Sequence, residues 1–120
     1  MKLSLVLIVL AAGATKAGER PSPTLPSGDY TFEHRFAEHP TIPSVALVAR
    51  IDAGHITLVN EDASGVFDVG VVAEGTLMWH ARSGRWIIAQ QPSDREAIEV
   101  GGCSDGPEVI DLQQRIYWTC

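Results

Sequence analysis

Two stretches of this chain, residues 45–60 and 76–90, each read as strand, turn, strand, and they commit the sequence to antiparallel β structure. In the first, the strand-like runs 45–52 and 55–60 flank Ala53-Gly54. A two-residue turn there sets Ile51 against Ile56 and Ala49 against Leu58, with Asp52 and His55 beside the turn. A bulged turn would shift that register by one. In the second, 76–81 and 85–90 are joined through Ser83-Gly84, which places Leu77, Trp79, Ala81, Trp86 and Ile88 on one face.

Further strands follow from the same period-2 reading. Tyr30, Phe32, His34 and Phe36 alternate with Thr31, Glu33 and Arg35, and Pro40 and Pro43 close that segment. Residues 66–73 form another strand, with Gly70 marking a bend or bulge. Residues 115–119 read as a closing strand, and 109–114 fits either a strand or a helical turn. Ser93 and Glu96 stand at capping-box spacing, which predicts a short helix over 97–100 with Gly101 as its C-terminal cap.

The expectation is a mainly β domain. It would be a small antiparallel β-barrel or curled meander sheet of six to eight short strands, with one or two short helices near the C-terminus. Closure into a barrel removes exposed strand edges. The Gly28-Asp29-Tyr30 opening resembles the G-x-W start of lipocalin-type barrels, and Arg115 resembles the arginine that family places nearby on its last strand. The resemblance bears on architecture alone.

The N-terminus predicts the compartment. Lys2 precedes an apolar run over 3–12 that is too short to span a bilayer, and small residues follow it. Residues 1–17 thus read as a secretory signal peptide, cleaved after Ala14 or Ala17, with no cysteine placed to carry a lipid anchor. Residues 18–27, with Pro21, Pro23 and Pro26, form a spacer, and 28–120 a single exported domain with no stable membrane insertion after cleavage.

Beyond residue 17 the chain has seven arginines, no lysine and fifteen acids, a formal charge of −8. That balance opposes nucleic acid and anionic lipid as partners. The two cysteines, Cys103 and Cys120, read as a disulfide in an oxidising compartment, closing the C-terminal end of the chain.

Side chains capable of chemistry are few. His34 and His39 have no geometric reason to converge, and H-E-x-x-H and C-x-x-C patterns are absent, so no metal or other cofactor is expected. Asp52 and His55 could pair across their turn, but no G-x-S-x-G nucleophile accompanies them. The glycine-rich string 101–107 reads as a connection that brings Cys103 into bridging position rather than as an anion cradle. Asp105 and Glu108 would repel an anion there. The acids between Asp94 and Glu108 lack calcium-loop spacing.

What remains is surface recognition. His80 lies on the strand face opposite Trp79, together with Met78, and Tyr117 and Trp118 point to opposite faces. His80, Met78, Tyr117 and Trp118 are therefore the candidate binding residues. The function expected is a non-enzymatic exported binding module that recognises another extracytoplasmic protein. The alternatives are a small-ligand-binding barrel, or a small hydrolase or lyase using His55 or His80. Trp79, Trp86 and Phe36 argue for a filled interior and hence for the surface.

Overall fold

A computed structural model describes residues 25–63 and 65–120. The expected signal peptide, and the spacer up to residue 24, lie outside the described residues. Seven strands follow in chain order: β1 (Gly28–Phe36), β2 (Ala46–Asp52), β3 (His55–Asn60), β4 (Gly70–His80), β5 (Arg85–Ala89), β6 (Glu108–Asp111) and β7 (Ile116–Thr119). Neighbours in sequence pair antiparallel, and a parallel β1–β7 pair closes the ring into a barrel. The mainly β fold is as the alternation predicts, and of the two expected forms, barrel or curled sheet, the chain adopts the closed one.

Both hairpins hold the expected register. Ile51 faces Ile56, Ala49 faces Leu58 and Asp52 faces His55 across β2–β3, and Trp79 faces Trp86 across β4–β5. Ala53 and Gly54 have φ of 48° and 83°, the paired positive values of a type I′ turn, whose twist matches that of the strands it joins. Ala81 does not extend β4 but opens the turn and is exposed. The bulge expected at Gly70 sits two residues on. Leu58 pairs with Ala73 and Val59 with Val71, leaving Val72 as the extra residue of β4.

Alternate residues of each strand fill the barrel: Phe32, Ala49, Ile56, Leu58, Trp86, Ile88, Ile110 and Tyr117 form one buried cluster, with Trp79 and Leu77 against it. Trp79 and Trp86 meet edge-on at 5.6 Å. Leu25 and Tyr30 pack onto the same cluster from the first strand's end, and the Arg115 guanidinium lies 5.0 Å from the Tyr30 ring centre.

The connection between β5 and β6, residues 90–107, is a strap laid over the outer wall. It holds a single 3-10 turn, Pro92–Glu96, rather than a helix over 97–100. Pro92 starts that turn, and the Asp94 carboxylate accepts from the Gln90 and Gln91 N–H groups at 2.7 and 3.3 Å. Ala97 then leaves helical space with ψ of 135°. Gly101 caps no helix; its φ of 63° lets its N–H reach the Pro107 carbonyl at 2.8 Å, closing a loop. Residues 109–111 resolve as strand, within β6. Beneath the strap lies a second apolar cluster of Ile87, Ala89 and Val109, with Met78, Val100 and Trp118 against it. The disulfide Cys103–Cys120 fixes the strap to the end of the chain.

Candidate functional site

Because β1 and β7 run parallel and every other pair antiparallel, β1, β3, β5 and β7 all finish at the same end of the barrel. That end carries the three long connections, 37–45, 61–69 and 90–107. The opposite end carries only short turns between β2 and β3, β4 and β5, and β6 and β7.

The barrel interior holds its own polar groups near the loop-bearing end. His34 is fully buried, with Nε2 2.7 Å from the Thr119 hydroxyl and Nδ1 without a hydrogen-bond partner. The Phe36 and Phe67 rings meet the imidazole edge-on at 4.6 and 4.7 Å. Burial among these rings lowers the His34 pKa below the ordinary imidazole value, favouring the neutral form. The Tyr117 hydroxyl donates to Glu108 Oε1 at 2.7 Å. Burial, and then that carboxylate, push the phenol well above its usual range, so the group acts as a fixed donor. Phe67, from the 61–69 loop, seats on His34 and fills this end of the core.

On the outer wall the candidate residues separate. Tyr117 faces inward and is 2% exposed. Met78 and Trp118 join the cluster beneath the strap and keep part of their surface. Trp118 stands beside Arg35, whose guanidinium lies 6.0 Å from the indole centre. His80 is buried at 1% exposure, covered by the strap it holds. The Ser83 N–H approaches its Nδ1 at 3.2 Å and can only donate, so Nδ1 is the acceptor. The proton therefore sits on Nε2, which donates to the Ala97 carbonyl at 2.7 Å. His80 is thus a latch between the β4–β5 turn and the strap.

The remaining histidines are exposed. His55 faces Asp52 across the turn, yet the carboxylate nearest its Nε2 is Glu74 Oε2 at 3.7 Å, on β4. His39 belongs to the 37–45 loop, where its N–H donates to the Phe36 carbonyl. The Gly101–Pro107 hydrogen bond, with Ser104 N and Oγ both donating to the Gly101 carbonyl, turns the glycine-rich string in on itself. It carries Cys103 to Cys120, the connecting role that its composition suggests.

The loop surface escapes inspection of single residues, because its parts lie far apart in the chain. The 61–69 loop is built around Asn60, fully buried, whose Nδ2 donates to the carbonyls of Asp62 at 2.7 Å and Phe67 at 3.0 Å. Its Oδ1 accepts from the Asp62 N–H at 3.3 Å. The 37–45 loop is held by Arg35 Nη1, which donates to the Pro40 carbonyl at 2.8 Å, and by Ala37 N–H to the Thr119 carbonyl at 2.7 Å. An asparagine ending a strand-like run before an acidic, glycine-containing loop was the signal available in the sequence.

The geometry defines a closed β-barrel with a packed interior and its long loops gathered at one end. No known protein family, curated protein or solved structure matches this chain.

Proposed function

We propose that the chain is an exported binding module that recognises another extracytoplasmic protein through its outer surface. The carrying observation is how its interior is used. Phe32, Trp86, Tyr117 and the aliphatic side chains occupy the barrel, and Phe67 seats against His34 at the loop-bearing end. A ligand carrier of this size holds its cargo in the space these groups fill. Closure, the disulfide and the strap give a stiff scaffold, and a stiff scaffold lowers the ordering cost of presenting loops to a partner. Trp118, which keeps part of its surface at the loop-bearing end of the outer wall, is an amphipathic contact residue of the kind interfaces favour.

Native mass spectrometry on protein recovered from its exporting host tests this reading. The expected result is a processed chain, short of its first 14 or 17 residues, carrying the mass deficit of one disulfide and no small organic ligand. A retained small ligand that denaturation releases would overturn the reading in favour of a carrier barrel.

A further inference from the structure

We infer that the loop-bearing end of the barrel docks a cationic protein partner, which rests on the binding-module reading and specifies its surface. Exposed large apolar side chains are concentrated there. Ile42 in the first loop is 60% exposed, Val69 in the second is 65%, and Val71, at the start of β4, is 61%. The bulge at Val72 places Val71 in register with Val59 while Asn60, the next residue, remains buried inside. Ile98, on the strap, is the exposed large aliphatic that lies elsewhere.

Charge identifies the partner. Loops 37–45 and 61–69 contain neither lysine nor arginine, and Glu38, Glu61, Asp62 and Asp68 are all exposed. The cations nearest them in the fold are Arg35, ion-paired with Glu33 at 2.6 Å, and Arg95 on the strap, which stands in sequence among Asp94, Glu96, Glu99 and Asp105, so the balance of this end is acidic. The opposite end mixes Arg50, Arg82, Arg85 and Arg115 with Asp29, Asp52 and Asp111 and is close to neutral. Apolar contacts rimmed mainly by one sign of charge match a surface of the opposite sign, and the field accelerates encounter with it. A second copy of this chain is disfavoured, because two acidic ends brought face to face repel. Asn60 anchors the backbone at Asp62 and Phe67, and Arg35 anchors it at Pro40, which lowers the ordering cost of docking at those points.

The test is selection of a phage-displayed random dodecapeptide library against the mature protein. Binding of the enriched peptides is then measured to three paired variants: Glu61→Lys with Asp62→Lys, Ile42→Ser with Val69→Ser, and Arg82→Glu with Arg85→Glu. Thermal melts confirm that each pair folds. The expected result is enrichment of peptides combining Lys or Arg with apolar residues. Their affinity should fall about tenfold or more in either loop pair and at high salt, and stay unchanged in the arginine pair. Binders that are acidic or uncharged, or that keep their affinity across both loop pairs, would overturn this inference while leaving a binding module intact. Failure to enrich any peptide over the blank would count against both.

Discussion

Replacing His80 with alanine should release the strap from the barrel wall. The imidazole is buried, and its two nitrogens serve two separate segments: Nε2 donates to the Ala97 carbonyl at 2.7 Å, and Nδ1 accepts from Ser83. Truncation strands the Ala97 carbonyl and the Ser83 N–H and leaves a cavity the size of the ring. One stranded buried polar group costs about 1–3 kcal/mol, and ring loss adds a packing term. The strap can lift and let water in, which caps the total, so a fall in unfolding free energy of about 2–4 kcal/mol is expected. Two measurements separate this from a general loosening. Urea denaturation gives the loss in stability, and hydrogen exchange locates it. Amides near Gly101 and Ser104 should lose protection well before those of β2 and β3. Unchanged strap exchange together with a stability loss below about 0.5 kcal/mol would refute the latch.

Three further outcomes follow from the same geometry. His34 has its folded pKa lowered below the ordinary 6.5, so the unfolded chain takes up its proton first as pH falls. The stability from this site is complete above about pH 6.5 and is lost as pH drops toward the lowered folded value; His34→Leu should flatten that part of an unfolding-against-pH profile. Cys103→Ser with Cys120→Ser opens the loop closed by a bridge of sequence separation 17 and should cost roughly 3 kcal/mol, read from the denaturation midpoint. Phe67→Ala removes the ring seated on His34 and should cost about 2 kcal/mol while letting an environment-sensitive apolar dye into the barrel end; a dry, dye-free variant would show that the end collapses instead.

Local signals in this chain predicted what local forces decide. The β2–β3 and β4–β5 registers follow from alternation and from a turn that accepts positive φ at Ala53 and Gly54, so contacts close in sequence settle them. The short helix was misplaced for a tertiary reason. Capping-box spacing pointed to 97–100, but the Ala97 carbonyl is taken by His80 and Val100 by the outer apolar cluster, which draws the chain out of helical geometry. Alternation also put His80 and Met78 correctly on the outer face without revealing that something covers it. A clue existed in Trp86, Ile87, Ile88 and Ala89, four apolar residues in succession and all buried. A strand that does not alternate has cover on both faces. Tyr117 and Trp118 took opposite faces as adjacency requires, yet which one turns inward is set by the register of β7 against both neighbours, where Tyr117 faces Ile110 of β6 and His34 of β1.

An odd number of strands has a geometric effect on how this domain can be mounted. The first strand enters at the end bearing the tight turns, and the last strand leaves at the far end, where Cys120 meets the strap. A support attached ahead of Gly28 would therefore hold the barrel upright with its long loops facing away from the attachment point. A label fused after Cys120 would stand among those loops. For any immobilised assay or fusion, the amino-terminal side is the handle that leaves the loops unobstructed.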